Sequence, residues 1–362
     1  MVTHGEMPRL LFILPQKRPP YEIEMIRGFR RLYPSFLWAA RNGLKVLGRS
    51  FPWRTILSME TLEHLCVERT GGRIGDADLI VTLELHSPES YLVSKRYPEL
   101  QHVVLVWETL KDHPYYWVPP MGLRSRYVGK RADQFIAFTH RAAAHLLSLG
   151  VDRSKISVVY PGIDLAKFRP AYDRTGSGKV RFLYAGMLER HKGLDSLLRA
   201  FRRTTDPNFE LSIAGRGSLE SMVRLSASED DRIRFLGWLR EQDRYYVFQE
   251  SDVFVCPSVD TRMFLWKYWE EQFGFGLVEA MGSGLPIVST NCGAISEVVG
   301  SRNLIVPQGS ITAMVRALDT IGRDEKLRFR LGGENRTRAE NLFDVDKQSH
   351  LLEDRMIAFS AH

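Results

Sequence analysis

The sequence predicts an α/β protein with parallel sheets in both halves, doubly wound in the second, and three observations carry that expectation. The chain has 362 residues, enough for two domains that each bury a core of ordinary size. From Val180 onward, short apolar runs alternate with helical patterns, the order that crossover connections impose on a parallel sheet. Before it, apolar runs at 78–83 and 102–107 read as parallel central strands.

In order, residues 9–14 read as a first buried strand ended by Pro15, and the loop that follows is Gln16-Lys17-Arg18-Pro19-Pro20. A basic helical stretch runs from Glu22, is interrupted at Pro34 and resumes through Ala39 to Leu47, with Phe29, Tyr33, Phe36, Leu37 and Trp38 on its apolar side. Two readings stand for it: a core-facing helix with a solvated arginine face, or a surface helix on anionic lipid headgroups. The strands at 78–83 and 102–107 deliver Glu84 and His86, then Glu108 and Thr109, to the carboxyl edge of the sheet, where α/β ligands bind. A strand at 134–138 leads into a helix through Leu147, and another strand follows at 156–160. Polar residues from Asp173 to Lys179, with Gly176 and Gly178, read as an interdomain linker.

The second half is more regular. Strands are expected at Val180–Ala185, Phe209–Ala214, 233–236, 253–257, 286–289 and Leu304–Val306. Leu194, Leu197, Leu198 and Phe201 show the i, i+3, i+4, i+7 spacing of a helix packed on a sheet. The stretch 259–269 reads as a long loop, more apolar than solvation needs, which walls the acceptor side of a site. The tail at 344–361 reads as a final helix.

The most informative stretch runs from Trp269 to Thr290. Glu271 and Glu279 bracket seven residues that include Gly274 and Gly276. With a strand upstream and another at once downstream, 275–281 reads as a helix capped by Gly282 and Gly284. Its first turn offers backbone N–H groups and partial positive charge to a phosphate. Glu271 then precedes the helix and Glu279 lies about one turn inside it.

The run Glu271-Gln272-Phe273-Gly274, then Val278-Glu279-Ala280-Met281, then Gly282-x-Gly284-x-Pro286-Ile287-Val288 resembles the E-x(7)-E signature of the retaining glycosyltransferases of family 4, which have the GT-B fold. Pro161-Gly162-Ile163-Asp164 and Phe168-Arg169-Pro170 resemble the hinge segment of the same family. The resemblance is specific from Gly150 onward and holds only in outline before it. It implies two Rossmann-like domains facing a central cleft. Residues 1–170 would bind the acceptor, 171–343 would bind a nucleotide sugar, and a last helix at 344–362 would cross back to the first domain.

It implies roles as well. Glu271 would contact the transferred sugar, Glu279 the ribose hydroxyls, and the N–H groups of Gly274, Phe275 and Gly276 the diphosphate. Lys192, in register with Gly186 and Gly193, matches the lysine of Gly-Arg-Leu-x-x-x-Lys-Gly, whose arginine and lysine grip the phosphates. Met187 stands where that arginine is expected, so an active enzyme needs a substitute: either Arg190 turns inward with Met187 packed beneath the loop, or Arg190 is solvated and Arg216 or nothing compensates. Gly186, Gly215, Arg216 and Trp238 would border the nucleotide. Glu108, a candidate catalytic residue with Glu271 and Lys192, occupies a point where relatives often carry histidine, so that histidine's role does not transfer and whether Glu108 orients the acceptor hydroxyl stays open. His86 and Gln16 would face the acceptor, although the loop at Gln16 lacks the usual glycines. The expected reaction moves a hexose from a UDP- or GDP-sugar to a hydroxyl of a glycan, lipid or small molecule, with retention and with neither cofactor nor metal. No Asp-x-Asp pair sits at a strand end where it would clamp a metal. The alternative is a catalytically impaired homologue that binds sugars or partners.

Charge bears on partners. The net charge is +7, and residues 1–150 hold 20 Lys+Arg against 14 Asp+Glu. Residues 21–54 alone hold seven basic side chains against Glu22 and Glu24, a patch suited to an anionic membrane or acceptor. It lacks aromatic-interleaved strands or a recognition motif, which argues against nucleic acid. Cys66, Cys256 and Cys292 are scattered, with no metal spacing, and suit a reducing cytoplasm. The apolar run 10–14 is too short for a signal or membrane-spanning segment.

Overall fold

The computed structural model describes residues 10–13, 77, 79–111, 113, 116–171 and 178–357. Gln16, the basic stretch 21–54, Cys66 and most of the linker lie outside the described residues. The chain divides into two units, one of residues 1–162 with 345–362 and one of residues 163–344.

In the first unit, β1 (Leu10–Ile13), β2 (Leu79–Leu83), β3 (Gln101–Val106), β4 (Gln134–Ala137) and β5 (Ile156–Val158) form a parallel sheet in that order. β2 is buried throughout and β3 nearly so, as expected of strands covered by crossover helices. Helix Pro88–Arg96 joins β2 to β3. It starts because Ser87 accepts the Ser90 N–H and Pro88 pre-sets the first turn, and Lys95 and Arg96 complement its negative end. Helix His140–Ser148 is capped in the same way by Thr139. Beneath these helices, His102 is fixed by Thr82 Oγ1 at 2.7 Å and Ser94 Oγ at 2.9 Å. Burial pushes its pKa down to about 3, so the ring is neutral. The final helix, Val345–Ile357, groups with this unit.

The second unit contains β6 (Val180–Ala185), β7 (Phe209–Ala214), β8 (Ile233–Gly237), β9 (Val253–Cys256), β10 (Thr261–Met263), β11 (Trp266–Trp269), β12 (Ile287–Thr290) and β13 (Leu304–Val306). Six of these make one parallel sheet in the order β13-β12-β9-β6-β7-β8. The chain winds from β6 to one edge, returns to β9 beside it and winds to the other edge. That doubly wound order places a crevice at the carboxyl ends of β6 and β9, where loops leave in opposite directions. Leu194, Leu197, Leu198 and Phe201 are all buried on helix Leu194–Phe201, as their spacing predicts.

The structure corrects the reading of 259–269 as a loop. β10 and β11 pair antiparallel as a separate hairpin. The turn residues, Phe264 and Leu265, hid it: Phe264 has φ 55°, a position where glycine or asparagine usually signals the hairpin. Among the described residues, no helix is long and apolar enough to cross a membrane.

Candidate active site

Loops from four strands of the second sheet leave its carboxyl edge, and main-chain bonds tie the first two together. Gly186 N–H donates to Ala214 O at 3.0 Å, Leu188 N–H to Arg216 O at 2.9 Å and Leu219 N–H to Leu188 O at 2.9 Å. The Glu189 carboxylate accepts the Ser218 N–H at 3.0 Å and its hydroxyl at 2.6 Å. A Cβ at Gly215 would fall 1.8 Å from Gly186 O, so only glycine permits this approach. The same holds at Gly193, with φ 70°, where a Cβ would meet Pro257 O at 1.8 Å. That contact brings the turn Arg190–Lys192 against the end of β9.

Lys192 and Glu271 meet there although 79 residues separate them. The ammonium lies 2.7 Å from Glu271 Oε2 and 3.0 Å from Oε1, and the Ser258 hydroxyl donates to Oε2 at 2.8 Å. Side-chain exposures of 16% for Lys192 and 9% for Glu271 place the pair out of bulk water. Burial lowers the lysine pKa, but the charge and hydrogen bonds of Glu271 outweigh it and hold the group above the ordinary lysine value. The ammonium also sits 4.8 Å from the centre of the Trp269 ring, a cation–π contact, and the His191 ring packs on Trp269 at 4.1 Å. The backbone of Glu271 is equally fixed. Its N–H points at Cys292 Sγ at 3.3 Å and its carbonyl accepts Ala294 N–H at 2.7 Å.

The expected helix spans Phe275–Gly282. Gly274 precedes it with φ 85°. A Cβ at Gly276 would lie 2.9 Å from the Phe254 ring and 3.2 Å from Ala185 O, so the first turn abuts the end of β6 and a β9 side chain. At the other end Gly284, with φ 68°, lets Leu285 N–H reach Ala280 O at 2.9 Å, a glycine cap of the expected kind. Glu279 is fully buried, and Arg244 Nη2 contacts its two oxygens at 2.6 and 2.5 Å. The second sheet therefore brings together Lys192, Glu271 and the helix start, with Glu279 one turn inside.

Other expected residues are placed differently. Met187 is 52% exposed and does not pack beneath the loop. The Tyr184 hydroxyl takes the inner position instead and donates to Met187 O at 2.6 Å. Arg190 is exposed at the start of its turn and is not turned inward as expected. Arg216 is exposed and lies 4.4 Å from the centre of the Trp238 ring, itself 59% exposed. In the first unit, Glu108 accepts the N–H groups of Thr109 and Leu110, each at 2.8 Å, and His86 packs edge-on against Tyr116 at 5.5 Å. Glu84, at φ 63°, accepts Trp107 N–H at 2.9 Å. Sequence reasoning missed Arg244 and Ser258. Both act through long-range contacts that no local spacing announces. It also missed Lys267, which joins Asp260 at 2.6 Å to Glu270 at 2.9 Å at the base of the hairpin.

Two family models match the chain: "Glycosyl transferases group 1" over residues 179–324 and "Glycosyltransferase Family 4" over residues 81–167. Among curated proteins, it is 30% identical over 243 residues to D-inositol 3-phosphate glycosyltransferase of Pseudarthrobacter chlorophenolicus, covering 60% of this chain and 55% of that protein. It is 29% identical over 183 residues to O-antigen chain mannosyltransferase C of Escherichia coli, covering 49% of this chain and 46% of that one. The matches thus span about half the length of these curated relatives. Among solved structures, Anabaena HepE in complex with UDP and glucose superposes with a TM-score of 0.74 at 16% identity, over 97% of this chain and all of that one. Sucrose-phosphate synthase of Thermosynechococcus elongatus gives 0.68 at 19% identity, over 87% and 82%. At these identities the structures speak for the fold, which is of the GT-B class. One family model falls on the sheet that carries Lys192 and Glu271 and the other on the sheet before it, so the chain belongs to the group 1 glycosyltransferases of family 4.

Proposed function

We propose that the protein transfers a hexose from a nucleoside-diphosphate sugar to an acceptor hydroxyl, with retention of configuration and without a metal. The observation that carries this reading is the Lys192–Glu271 pair at the switch point of the second sheet, beside the N-terminus of helix Phe275–Gly282. Glycosyl transfer develops negative charge on the departing diphosphate and positive charge at the anomeric carbon. A preorganised ammonium and helix N–H groups stabilise the first. A fixed carboxylate beside them suits the sugar and the second.

In this reading Lys192 faces the diphosphate, Glu271 the sugar and Trp238 with Arg216 the base, while Glu279, buried against Arg244 in the structure, would turn to the ribose when nucleotide binds. Arg190, exposed in the structure, would have to turn onto the bound diphosphate to supply the cation that the family arginine would provide; Arg216, exposed and stacked on Trp238, is the alternative. UDP is the favoured nucleotide because HepE is described in complex with UDP. The acceptor is a glycan or a lipid, and Glu108, His86 and Gln16 belong to its side. The free Cys256 and Cys292 suit a reducing cytoplasm, with the basic stretch 21–54 as a contact for an anionic inner-membrane face.

The test is donor hydrolysis and transfer by the purified chain, with UDP- and GDP-sugars, in the presence and absence of EDTA. Slow nucleotide release that survives chelation, with an α-linked product from an α-linked donor, supports the reading. Binding of sugars without turnover of any donor would favour the impaired homologue. Arg190→Ala should lower turnover at least tenfold while Arg216→Ala mainly weakens nucleotide affinity; the reverse pattern rejects the assignment of Arg190.

A further inference from the structure

The hairpin β10–β11 has a feature that the transferase reading leaves unused. Phe264 is 88% exposed and Leu265 87%, and beside them Met263, Trp266 and Tyr268 are 57%, 50% and 48% exposed. Such contiguous apolar exposure marks an interaction site. The turn itself strengthens the point. A two-residue hairpin turn with positive φ at its first residue favours glycine there, yet Phe264 occupies it at φ 55°, so a need other than turn geometry selects the side chain.

We propose that this hairpin is an interfacial anchor whose tip inserts into the surface of a phospholipid bilayer. The order of side chains along it fits that occupant. Phe264 and Leu265 lie at the apex. Trp266 and Tyr268, amphipathic rings that favour the headgroup level, lie on the returning strand. Arg262, exposed, stands one position before Met263 and opposite Lys267 in the ladder. No carboxylate occurs between Thr261 and Trp269. Lys267 is neutralised by Asp260 and Glu270 at the base, which leaves Arg262 as the tip's outward cation, complementary to anionic headgroups. The two salt bridges also hold the hairpin rigidly on its stem, so insertion orders little additional chain. A second copy of the protein fits less well. A stable dimer takes roughly 800 Å² from each partner, and a two-residue turn with its neighbours is a narrow protrusion. Because β11 ends at Trp269, under the Lys192 ammonium, a bilayer-bound tip would keep the site close to the lipid surface.

Partitioning of the full chain onto vesicles tests this. Vesicles of phosphatidylcholine alone and with phosphatidylglycerol would be compared for wild type, Phe264→Ser/Leu265→Ser and Arg262→Glu. Wild type should bind the anionic vesicles, and part of that binding should persist in high salt because apolar burial is unscreened. The double variant should bind about tenfold more weakly or worse with an unchanged melting temperature and unchanged donor hydrolysis in vesicle-free solution. Brominated lipid should quench wild-type tryptophan emission, and Trp266→Phe should lose most of that quenching. Equal binding by the double variant, which leaves residues 21–54 intact, overturns the proposal. So does a wild-type dimer that the double variant dissolves without any vesicle binding. Neither result depends on the transferase reading, which donor hydrolysis tests separately.

Discussion

The carboxyl edges of the two parallel sheets treat their charged side chains in opposite ways. In the first unit two carboxylates are tied to backbone N–H groups: Glu108 to those of the next two residues, and Glu84 to that of Trp107 on the neighbouring strand's exit. In the second unit the pairings reach across the fold. Lys192 finds Glu271 and Arg244 finds Glu279, each from a different loop or helix. A carboxylate bonded to its own loop shapes that loop. A cation and carboxylate held together out of bulk water by separate elements form a preorganised electrostatic site, which is what catalysis uses. In the proposed reading the second edge carries the chemistry.

The sharpest way to break this contrast is at Lys192. Lys192→Ala should cost about 10²–10³ in kcat, the typical loss for one preorganised donor, while a similar change at Glu108 should not. Removing one partner of a buried pair also destabilises, by about 3–5 kcal/mol, so the melting temperature is read alongside and Lys192→Arg serves as the fold-preserving control. Glu271→Gln comes next. It should lower turnover strongly and leave affinity for free nucleoside diphosphate intact, whereas Glu279→Ala should weaken that affinity. If both lose only nucleotide affinity, the role given to Glu271 is wrong.

A smaller effect probes the first unit through His102. Its folded pKa lies at about 3, depressed by burial, against about 6.5 for an unfolded histidine. A group depressed on folding contributes stability that is present above the unfolded pKa and lost as pH falls towards the folded one. Stability should then decline by up to about 1.4 kcal/mol per pH unit below about 6.5, and His102→Gln should flatten the slope over that window in chemical denaturation. The smallest expected effect is at Glu108→Gln. Its amide oxygen still accepts the Thr109 and Leu110 N–H groups, so kcat/KM should fall less than about tenfold. A loss as large as that of Lys192→Ala would erase the contrast between the two edges.

Much of the second unit was legible in the sequence because its signals are local. Alternating strands and helices, the Leu194 to Phe201 spacing, and the glycines around Glu271 each state a backbone requirement within a few residues. Lys192 was found through its register with Gly186 and Gly193, and the Gly193 contact on Pro257 O supplies the reason. What escaped was non-local or disguised. Ser258 and Arg244 reach their carboxylates across 13 and 35 residues, separations set by topology and not by any repeat. The hairpin was read as a loop because its turn carries Phe264 and Leu265 in place of turn-forming residues. Met187 is expected beneath its loop only as the counterpart of an inward Arg190, but Tyr184 fills that place because its hydroxyl can satisfy a carbonyl that a thioether cannot.

The central claim is that the second sheet's switch point is a nucleoside-diphosphate site built on Lys192, Glu279 and the helix start. Thermal unfolding of the full chain with added UDP, GDP and ADP tests it most directly. A nucleoside diphosphate at 100 times its dissociation constant should stabilise the protein by about 2.7 kcal/mol, and Glu279→Ala should reduce that gain at the same concentration while Glu108→Gln leaves it unchanged. No shift with any nucleoside diphosphate, or an equal shift in Glu279→Ala, would contradict the account.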